Sequence, residues 1–268
     1  MTHVAEIFRR LHGDTIPLRL PNAWDAGSAR LFESQGASAI ATTSAGVAWA
    51  LGYRDGRRTP IDEVVAVAAR ITRVLTVPVS IDIENGYSDD PKKVADNVKR
   101  LADLGVAGIN IEDGSDGPSL LAAKIEAIGN ALSKAGAVLF VNARCDAYLA
   151  NLVEKSKLVE ESIARGKTYM GAGAGGFFLP GIVQAQHIRA VAAAVSLPLN
   201  VMAWPGLAEA GELGKLGVRR LSAGSAISQV LWGTAALLAR DFLNSGRSDP
   251  LSEGSMPYPQ LQGLFPEK

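Results

Sequence analysis

Three acidic residues at the ends of two apolar segments are the first candidates for chemistry in this sequence. Asp82 and Glu84 close the segment VPVSIDIE, and Glu112 closes the segment VAGINIE. If both segments are strands, Asp82 and Glu84 point to one face, because side chains alternate along a strand. Three carboxylates at one edge repel each other, and Mg²⁺ relieves this repulsion through the oxygen ligands that it prefers. The pattern favours a magnesium site over the alternative of solvated strand ends or helix caps.

One arginine follows a long apolar segment in the same way. Arg144 ends the segment AVLFVNAR, where its guanidinium can hold a carboxylate or phosphonate through two parallel hydrogen bonds. The alternative is an ion pair with Glu112 or Asp146, and both roles can hold together. The histidines lie away from such segment ends, at positions 3, 12 and 187. A histidine-based metal site and a Ser-His-Asp arrangement are therefore not expected.

Eight short apolar segments must position these side chains. They are rich in Val, Ile and Leu without strict alternation, as strands covered on both faces are. The predicted strands are residues 16–20, 37–43, 77–84, 106–112, 137–144, 175–180, 197–203 and 218–224. Segments with helical periodicity separate them, at residues 3–12, 25–36, 61–75, 90–105, 118–135, 156–172, 183–195, 207–217 and 225–245. Residues 44–60 are expected to form one long connection.

Eight strand–helix units without a linker predict an α/β fold of the (β/α)₈ TIM barrel type. One domain would span residues 1–268, with a short N-terminal helix and a C-terminal tail. The alternative is an open doubly wound sheet, which often carries a glycine-rich phosphate turn after its first strand. PNAWDAGSARL has no such turn, and GAGAGG at 171–176 follows a helix, which favours a tight turn over a dinucleotide loop. In a barrel, chemistry collects at the C-terminal ends of the strands.

The composition excludes several classes of function. The chain has 268 residues with 27 Lys+Arg and 27 Asp+Glu, so it has no basic excess with which to bind nucleic acid. Its single cysteine, Cys145, cannot form an internal disulfide. No apolar run reaches the length of a membrane span, and no signal-peptide pattern is present. We therefore expect a cytoplasmic protein that binds neither nucleic acid nor membranes.

Five segments, in order, resemble the isocitrate lyase/phosphoenolpyruvate mutase superfamily, and most of all its shorter phosphonomutase-like branch. They are PNAWDAGSARLFESQGASAIATTSAG, LGYRDG, SIDIENGYSDDP, GVAGINIEDG and VNARCDAYL. The resemblance implies a (β/α)₈ barrel that binds Mg²⁺, or Mn²⁺ in its place, and a small 2-oxo or 2-hydroxy carboxylic acid. It also implies that an enolate or oxyanion is stabilised while a C–C or P–C bond is broken or formed.

The same resemblance implies roles for individual residues. Asp82 resembles a direct Mg²⁺ ligand, and Glu84 and Glu112 resemble carboxylates that hold the metal through water. Arg144 resembles the arginine that binds substrate, and Asp55 resembles an aspartate near the reacting centre, so both are expected to be catalytic.

The expected substrate contacts complete the site. Ser44, Ala45 and Gly46 resemble a loop whose backbone N–H groups bind the carboxylate or phosphonate of the substrate. Asn200, near the end of the seventh predicted strand, is expected to be a further contact.

The segment after Glu112 departs from the family pattern. The lyases carry a Lys-Lys-Cys-Gly-His-type motif there, whose cysteine donates a proton, and the P–C mutases carry an asparagine. Residues 112–124, EDGSDGPSLLAAK, contain no Cys, His or Asn. We therefore expect a Mg²⁺-dependent carbon–carbon lyase, hydrolase or decarboxylase. The alternatives are a P–C mutase, a non-catalytic 2-oxo acid-binding protein, and a phosphosugar enzyme that uses residues 222–226.

The last predicted helix bears on assembly. Family members are often tetramers that exchange the eighth helix, here residues 225–241, so the resemblance implies a homodimer or homotetramer. Apolar residues cover much of this helix, namely Ile227, Val230, Leu231, Ala235, Leu237 and Leu238. Burial between subunits would suit such a helix, although a monomeric barrel also buries its last helix.

Overall fold

Parallel strands form a closed barrel in the computed structural model, which describes residues 2–265 and the side chains from residue 4 onward. The strands are β1 (Leu18–Leu20), β2 (Asn22–Ala23), β3 (Ile40–Thr42), β4 (Val79–Asp82), β5 (Gly108–Glu112), β6 (Phe140–Arg144), β7 (Gly176–Leu179), β8 (Leu199–Met202) and β9 (Val218–Ser222). Their order in the sheet is β1-β9-β8-β7-β6-β5-β4-β3-β2. The predicted (β/α)₈ barrel is thereby confirmed. Residue 1 and residues 266–268 of the predicted domain lie outside the described range.

The barrel closes across a strand that proline divides in two. Pro21 has no backbone N–H, and it separates β1, which pairs with β9, from β2, which pairs with β3. The nine segments therefore fill eight barrel positions. The Asn22 side chain joins the two edges, because its Nδ2 donates to the Thr42 carbonyl at 2.8 Å and its Oδ1 accepts from the Gly224 N–H at 2.9 Å.

The helices follow the expected positions at most points of the chain. They are α1 (Thr2–Arg10), α2 (Ala26–Ser34), α3 (Ser44–Ala50), α4 (Ile61–Val74), α5 (Pro91–Asp103), α6 (Pro118–Lys134), α7 (Leu158–Gly171), α8 (Ala185–Ala194), α9 (Ala210–Lys215), α10 (Ala226–Ser245), α11 (Asp249–Ser252) and α12 (Tyr258–Gln262). Local signals fix several starts. Asp90 caps α5 by accepting from the Lys92 N–H, with Pro91 in the first turn, and Asp25 and Ser28 form a capping box on α2.

The expectation of one long connection over residues 44–60 is wrong, because its first part is the helix α3. Thr43 caps this helix by accepting from the Gly46 N–H at 3.4 Å. Gly46 also lets α3 pack closely, since a Cβ there would lie 2.7 Å from Thr43 Cγ2 and 3.0 Å from Trp24 Cβ. Gly46 is therefore required by packing, whatever its N–H does.

Helix α1 seals the N-terminal end of the barrel. Its Phe8 is fully buried among interior side chains that include Leu18, Leu20 and Phe140. Above this apolar plug the barrel interior is polar, with buried side chains at Asn110, Asn142, Asn200, Arg220 and Ser222. The larger apolar core lies between the sheet and the outer helices. The active site is therefore expected at the opposite, C-terminal rim of the barrel.

Among residues 2–265, no helix combines the length and the apolar character needed to cross a membrane.

Candidate active site

Asp82 stands at the C-terminal end of β4, where the structure places it as the sequence predicts. Its backbone N–H donates to Thr42 Oγ1 at 2.8 Å, which fixes the end of the strand against β3. Its Oδ1 accepts from the Glu84 N–H at 3.0 Å. Burial raises the pKa of the Asp82 carboxyl; Arg144 opposes this shift, and Asp55 and Asp146 add to it. A cation bound here would lower the free-energy cost of keeping the Asp82 carboxylate charged.

Glu84 reaches the cluster by a different route from the one expected. The argument from strand alternation is wrong, because β4 ends at Asp82 and Glu84 has a left-handed φ of 50°. Its Oε2 accepts from the Arg57 N–H, and its Oε1 accepts from the Tyr87 hydroxyl at 3.1 Å. Burial raises the pKa of Glu84, and the charge of Asp82 raises it further. The two carboxylates are therefore neighbours, but the Glu84 oxygens are already engaged.

Arg144 lies between two carboxylates at the end of β6. Its Nη1 is 2.7 Å from Glu112 Oε2, while its Nε and Nη2 donate to the two oxygens of Asp146 at 2.6 and 3.0 Å. The guanidinium also lies 5.9 Å above the Phe178 ring. Burial raises the pKa of Glu112 to about 8 although Arg144 opposes it. The alternative role of Arg144 as an ion-pair partner is thus present, and Asp146 occupies its two-donor edge.

Asp113 supports this arrangement from behind and was not singled out from the sequence. Its buried Oδ1 accepts from the Asp146 N–H at 2.9 Å, and its Oδ2 accepts from Arg165 Nη1 at 2.9 Å and from the Tyr169 hydroxyl. The adjacent pair Glu112-Asp113 offered a signal, since neighbouring residues at a strand end face opposite sides. Asp146, which the sequence offered as an ion-pair partner of Arg144, lies two residues beyond the end of β6 and accepts from Arg144 through both oxygens.

Asp55 lies on the exposed segment that follows α3 and passes over the cluster. Its charge raises the pKa of both Asp82 and Glu84, which places it close to them. The same segment is tied down by the Arg57 N–H at Glu84 and by a 3.9 Å contact between the Arg57 guanidinium and Asp116. This segment therefore brings Asp55 near the carboxylates, although Asp55 lies far from them in the sequence.

The predicted substrate contacts divide into two groups. Ser44 and Ala45 form the first turn of α3, where backbone N–H groups have no partner within the helix, and Ser44 lines a small cavity with Asp82. The Gly46 N–H already donates to Thr43. Asn200 is fully buried below the rim, and its Oδ1 accepts from the Ser222 hydroxyl at 2.9 Å. Ser44 and Ala45 thus adjoin the cluster, while Asn200 belongs to its floor.

The donor set suits a hard divalent cation that is bound largely through water. Asp82, Glu84 and Glu112 offer only oxygen atoms, and burial together with the charges of neighbouring carboxylates raises the pKa of each. Within the described part of the chain, no three Asp, Glu, His or Cys side chains are placed to bind one ion directly. Both Glu84 oxygens are engaged, whereas Asp82 and Glu112 each keep one oxygen without a partner among the described residues, so these two carboxylates are better able to touch an ion.

Comparisons with known proteins cover nearly all of the chain. The profile of the family described as phosphoenolpyruvate phosphomutase matches residues 8–243. An uncharacterized protein of Mycobacterium tuberculosis (strain ATCC 25618 / H37Rv) is 39% identical, over 95% of this chain and 94% of that protein. An oxaloacetate decarboxylase of Bradyrhizobium sp. (strain ORS 278) is 30% identical, over 80% of this chain and 72% of that protein.

A solved structure shows the same likeness in three dimensions. A crystal structure of a candidate lyase/mutase from Burkholderia cenocepacia J2315 matches with a TM-score of 0.89 and 32% identity, over 98% of this chain and 95% of that chain. The region matched by the family profile contains every strand end described above.

Proposed function

Since the chain belongs to the phosphoenolpyruvate phosphomutase family, we propose that it is a Mg²⁺-dependent enzyme that breaks a carbon–carbon bond in a small 2-oxo or 2-hydroxy carboxylic acid. The observation that carries this proposal is Arg144, held between Glu112 and Asp146 beside Asp82 at the C-terminal rim. The activity named for the Bradyrhizobium relative is on a 2-oxo acid of this kind.

The residues divide the work of binding. Asp82 would hold the ion directly, and Glu84 and Glu112 would hold it through water. A bound Mg²⁺ supplies positive charge that stabilises a developing negative oxygen. Arg144 keeps N–H groups on Nη1 and Nη2 beyond those used by Glu112 and Asp146, and these bind the substrate carboxylate. The N–H groups of Ser44 and Ala45 face the same region and bind a second anionic group.

Bond cleavage needs electron acceptance first and a proton later. When the carbon–carbon bond breaks, its electron pair remains on the carbon beside the carbonyl and gives an enolate, while CO₂ or a carbonyl fragment leaves. With a 2-hydroxy acid, Asp55 accepts the hydroxyl proton as the carbonyl of the leaving fragment forms. With a 2-oxo acid that carries its second carboxylate on C3, loss of that carboxylate as CO₂ needs no base, and the enolate carbon takes its proton from water. These are ordinary general acid–base roles.

A P–C mutase is the second candidate, because the matching family profile carries that description. The segment 112–124 lacks the asparagine that the mutases carry there, which weighs against this candidate. Retention of ligand binding without turnover would correspond to the third reading, a 2-oxo acid-binding protein.

The proposal is tested by following substrate loss by NMR with oxaloacetate, other 2-oxo and 2-hydroxy diacids, and phosphonopyruvate. Because Mg²⁺ alone promotes decarboxylation of oxaloacetate, the Asp82→Asn protein at the same Mg²⁺ concentration serves as the control. We expect a rate above that control, abolished by EDTA. Conversion of phosphonopyruvate alone would favour the mutase, and no turnover of any acid would favour the binding protein.

We also propose that the protein assembles through α10. Of its residues only Ser228 is buried, whereas Val230, Trp232 and Leu243 are exposed by 68%, 52% and 82%. The outer face of β9, which a barrel's last helix normally covers, is only half-buried at Arg219 and Leu221. Exposed apolar surface of this kind marks a protein interface, and a second copy of the chain, exchanging α10, would cover both surfaces.

A further inference from the structure

A buried arginine occupies the barrel interior below the carboxylate cluster. Arg220 in β9 has no exposed surface, and its guanidinium lies 5.8 Å from the centre of the Phe8 ring. Its Nε donates to Ser222 Oγ at 3.3 Å, and its Nη2 donates to Asn110 Oδ1 at 3.1 Å. Among the described residues, Nη1 has no hydrogen-bond partner and no carboxylate lies within 4 Å of the guanidinium. The cation is therefore held by neutral groups alone.

Such a cation is unexpected in a barrel interior, which branched apolar side chains usually fill. Removing a charge from water is strongly unfavourable unless an opposite charge is near. Arg165 shows the ordinary solution, because it pairs with Asp113 and Glu161. Burial lowers the pKa of Arg220 to about 9, so the group is still protonated at neutral pH. Stability alone gives no reason to keep an arginine here.

Asp82 is the charge that Arg220 faces. Asp82 and Asn110 are register partners on neighbouring strands, and Asn110 accepts the Arg220 hydrogen bond, so one side chain separates the guanidinium from Asp82. The field of Asp82 accordingly raises the pKa of Arg220 against the effect of burial.

On the β8–β9 side of the floor, the buried polar atoms left without a partner among the described residues are donors. Asn200 is the register partner of Arg220, and its Nδ2 is also buried without a partner among the described residues. Ser222 ties the two together, since it accepts from Arg220 and donates to Asn200. Positive charge and N–H donors thus lie under the site, opposite the carboxylates at its rim.

We propose that Arg220 is a positioning residue, whose permanent charge balances Asp82 from below and makes the site favour an anionic substrate. The proposal rests on the proposed function. A buried positive charge repels Mg²⁺ and attracts a carboxylate, so it affects the binding of these two ligands in opposite directions. Loss of that charge shifts the affinities for the two ligands in opposite directions. A residue needed only for folding would weaken both together.

The test compares Arg220→Met with Arg220→Lys, and with Arg219→Met as the matched control, since Arg219 lies on the same strand and faces outward. Calorimetry measures the Kd of Mg²⁺ alone, and then the Kd of oxalate at saturating Mg²⁺. We expect Arg220→Met to bind Mg²⁺ about tenfold more tightly and oxalate about tenfold more weakly. Arg220→Lys and Arg219→Met should stay close to wild type. Parallel weakening of both ligands in Arg220→Met would overturn the proposal.

A second measurement does not depend on the metal. In EDTA, the melting temperatures of Arg220→Met, Asp82→Asn and the double variant form a thermodynamic cycle. If the two charges balance each other, the double variant loses less than the sum of the two single losses. Additive losses would overturn the proposal. A wild-type protein that binds no Mg²⁺ would refute the proposed function, and this cycle alone would then decide the role of Arg220.

Discussion

At the scale of residues, the site is organised by the many partners of Arg144. Glu112 takes one N–H and Asp146 takes the two-donor edge, so the guanidinium is fixed before any substrate arrives. Asp113 in turn fixes Asp146 through its backbone N–H. If Arg144 binds the substrate carboxylate as proposed, that carboxylate would meet an arginine that needs little reorganisation, which is how prepositioned charges lower a barrier.

Replacement of Arg144 by lysine should show this. A lysine ammonium is a point charge and cannot hold Glu112, Asp146 and a substrate carboxylate in one plane. We expect the KM for a 2-oxo diacid to rise by about 30- to 150-fold in Arg144→Lys, a loss of about 2–3 kcal/mol. Steady-state kinetics with Arg57→Lys as the control measures this, because Arg57 contacts Glu84 through its backbone. A change below about tenfold, or 1.4 kcal/mol, would mean that Arg144 is structural.

Asp55→Asn separates chemistry from binding. The change keeps the shape of the side chain and removes its ability to take a proton. With a 2-hydroxy diacid as substrate, we expect kcat to fall by about 10²–10⁴-fold with little change in KM, the usual contribution of a general acid or base. Asp116→Asn, on the neighbouring loop, is the matched control and should keep wild-type kcat. Wild-type turnover by Asp55→Asn would show that Asp55 only shapes its turn, where asparagine serves equally well.

Residue-scale prediction from sequence succeeded where a polar side chain ends an apolar run. Asp82, Glu112 and Arg144 lie at the ends of β4, β5 and β6 as expected. Glu84 was predicted as part of the site by the wrong rule, because alternation assumes a strand. It lies beyond β4 with a positive φ, and it contacts the backbone of Arg57, which is distant in sequence, and the nearby Tyr87. The position of Arg220 was not predicted, because nothing in the segment VRRLSAG shows that Arg220 faces the barrel interior and Arg219 faces outward.

At the scale of elements, the period of apolar residues predicted the eight strand positions and the helices between them. Two features were not predictable in that way. The division of the first strand comes from one missing N–H at Pro21, which leaves its apolar pattern intact. Five of the seven residues of helix α3 are Ser, Ala or Gly, and its close packing at Gly46 against Trp24 is not visible in the local sequence.

His12, which follows helix α1, leads to a further prediction about the pH dependence of stability. The ring of His12 donates from Nδ1 to the Phe8 carbonyl at 2.8 Å and stacks on Phe140 at 4.4 Å. Burial, assisted by the charge of Arg220, lowers the pKa of His12 from 6.5 to about 3. Between pH 6.5 and about pH 3, His12 binds a proton in the unfolded chain but stays neutral in the folded chain. The stability due to neutral His12 is therefore complete above pH 6.5 and is lost as the pH falls toward 3.

His12→Phe keeps an aromatic ring but cannot titrate. Urea unfolding at pH 7.5, 6 and 5 should show that wild type loses stability more steeply than His12→Phe as the pH falls. The difference in slope approaches about 1.4 kcal/mol per pH unit. Parallel slopes for the two proteins would contradict the assignment of a neutral, buried His12.

At the scale of the whole molecule, the exposed face of α10 predicts the state of assembly. Light scattering should give a dimer or tetramer for wild type, because Val230, Trp232 and Leu243 would otherwise remain in water. Leu237→Glu, at a residue exposed by 58%, should dissociate the assembly. Lys134→Glu, at the exposed end of α6, changes charge outside α10 and should leave the assembly intact. A monomeric wild type would refute exchange of α10.

The short link between β5 and α6 has a consequence for the stereochemistry of the product. Only residues 113–117 connect these elements, so no long segment reaches from this side across Asp82 and Glu112. An enolate formed there would stand open to solvent, and water could deliver a proton to its carbon from more than one direction. A substrate with a methyl group at C3, turned over in heavy water, should then carry deuterium in both mirror-image arrangements. The enzyme would then catalyse the cleavage, whereas protonation of the enolate carbon by solvent would determine the configuration of the product.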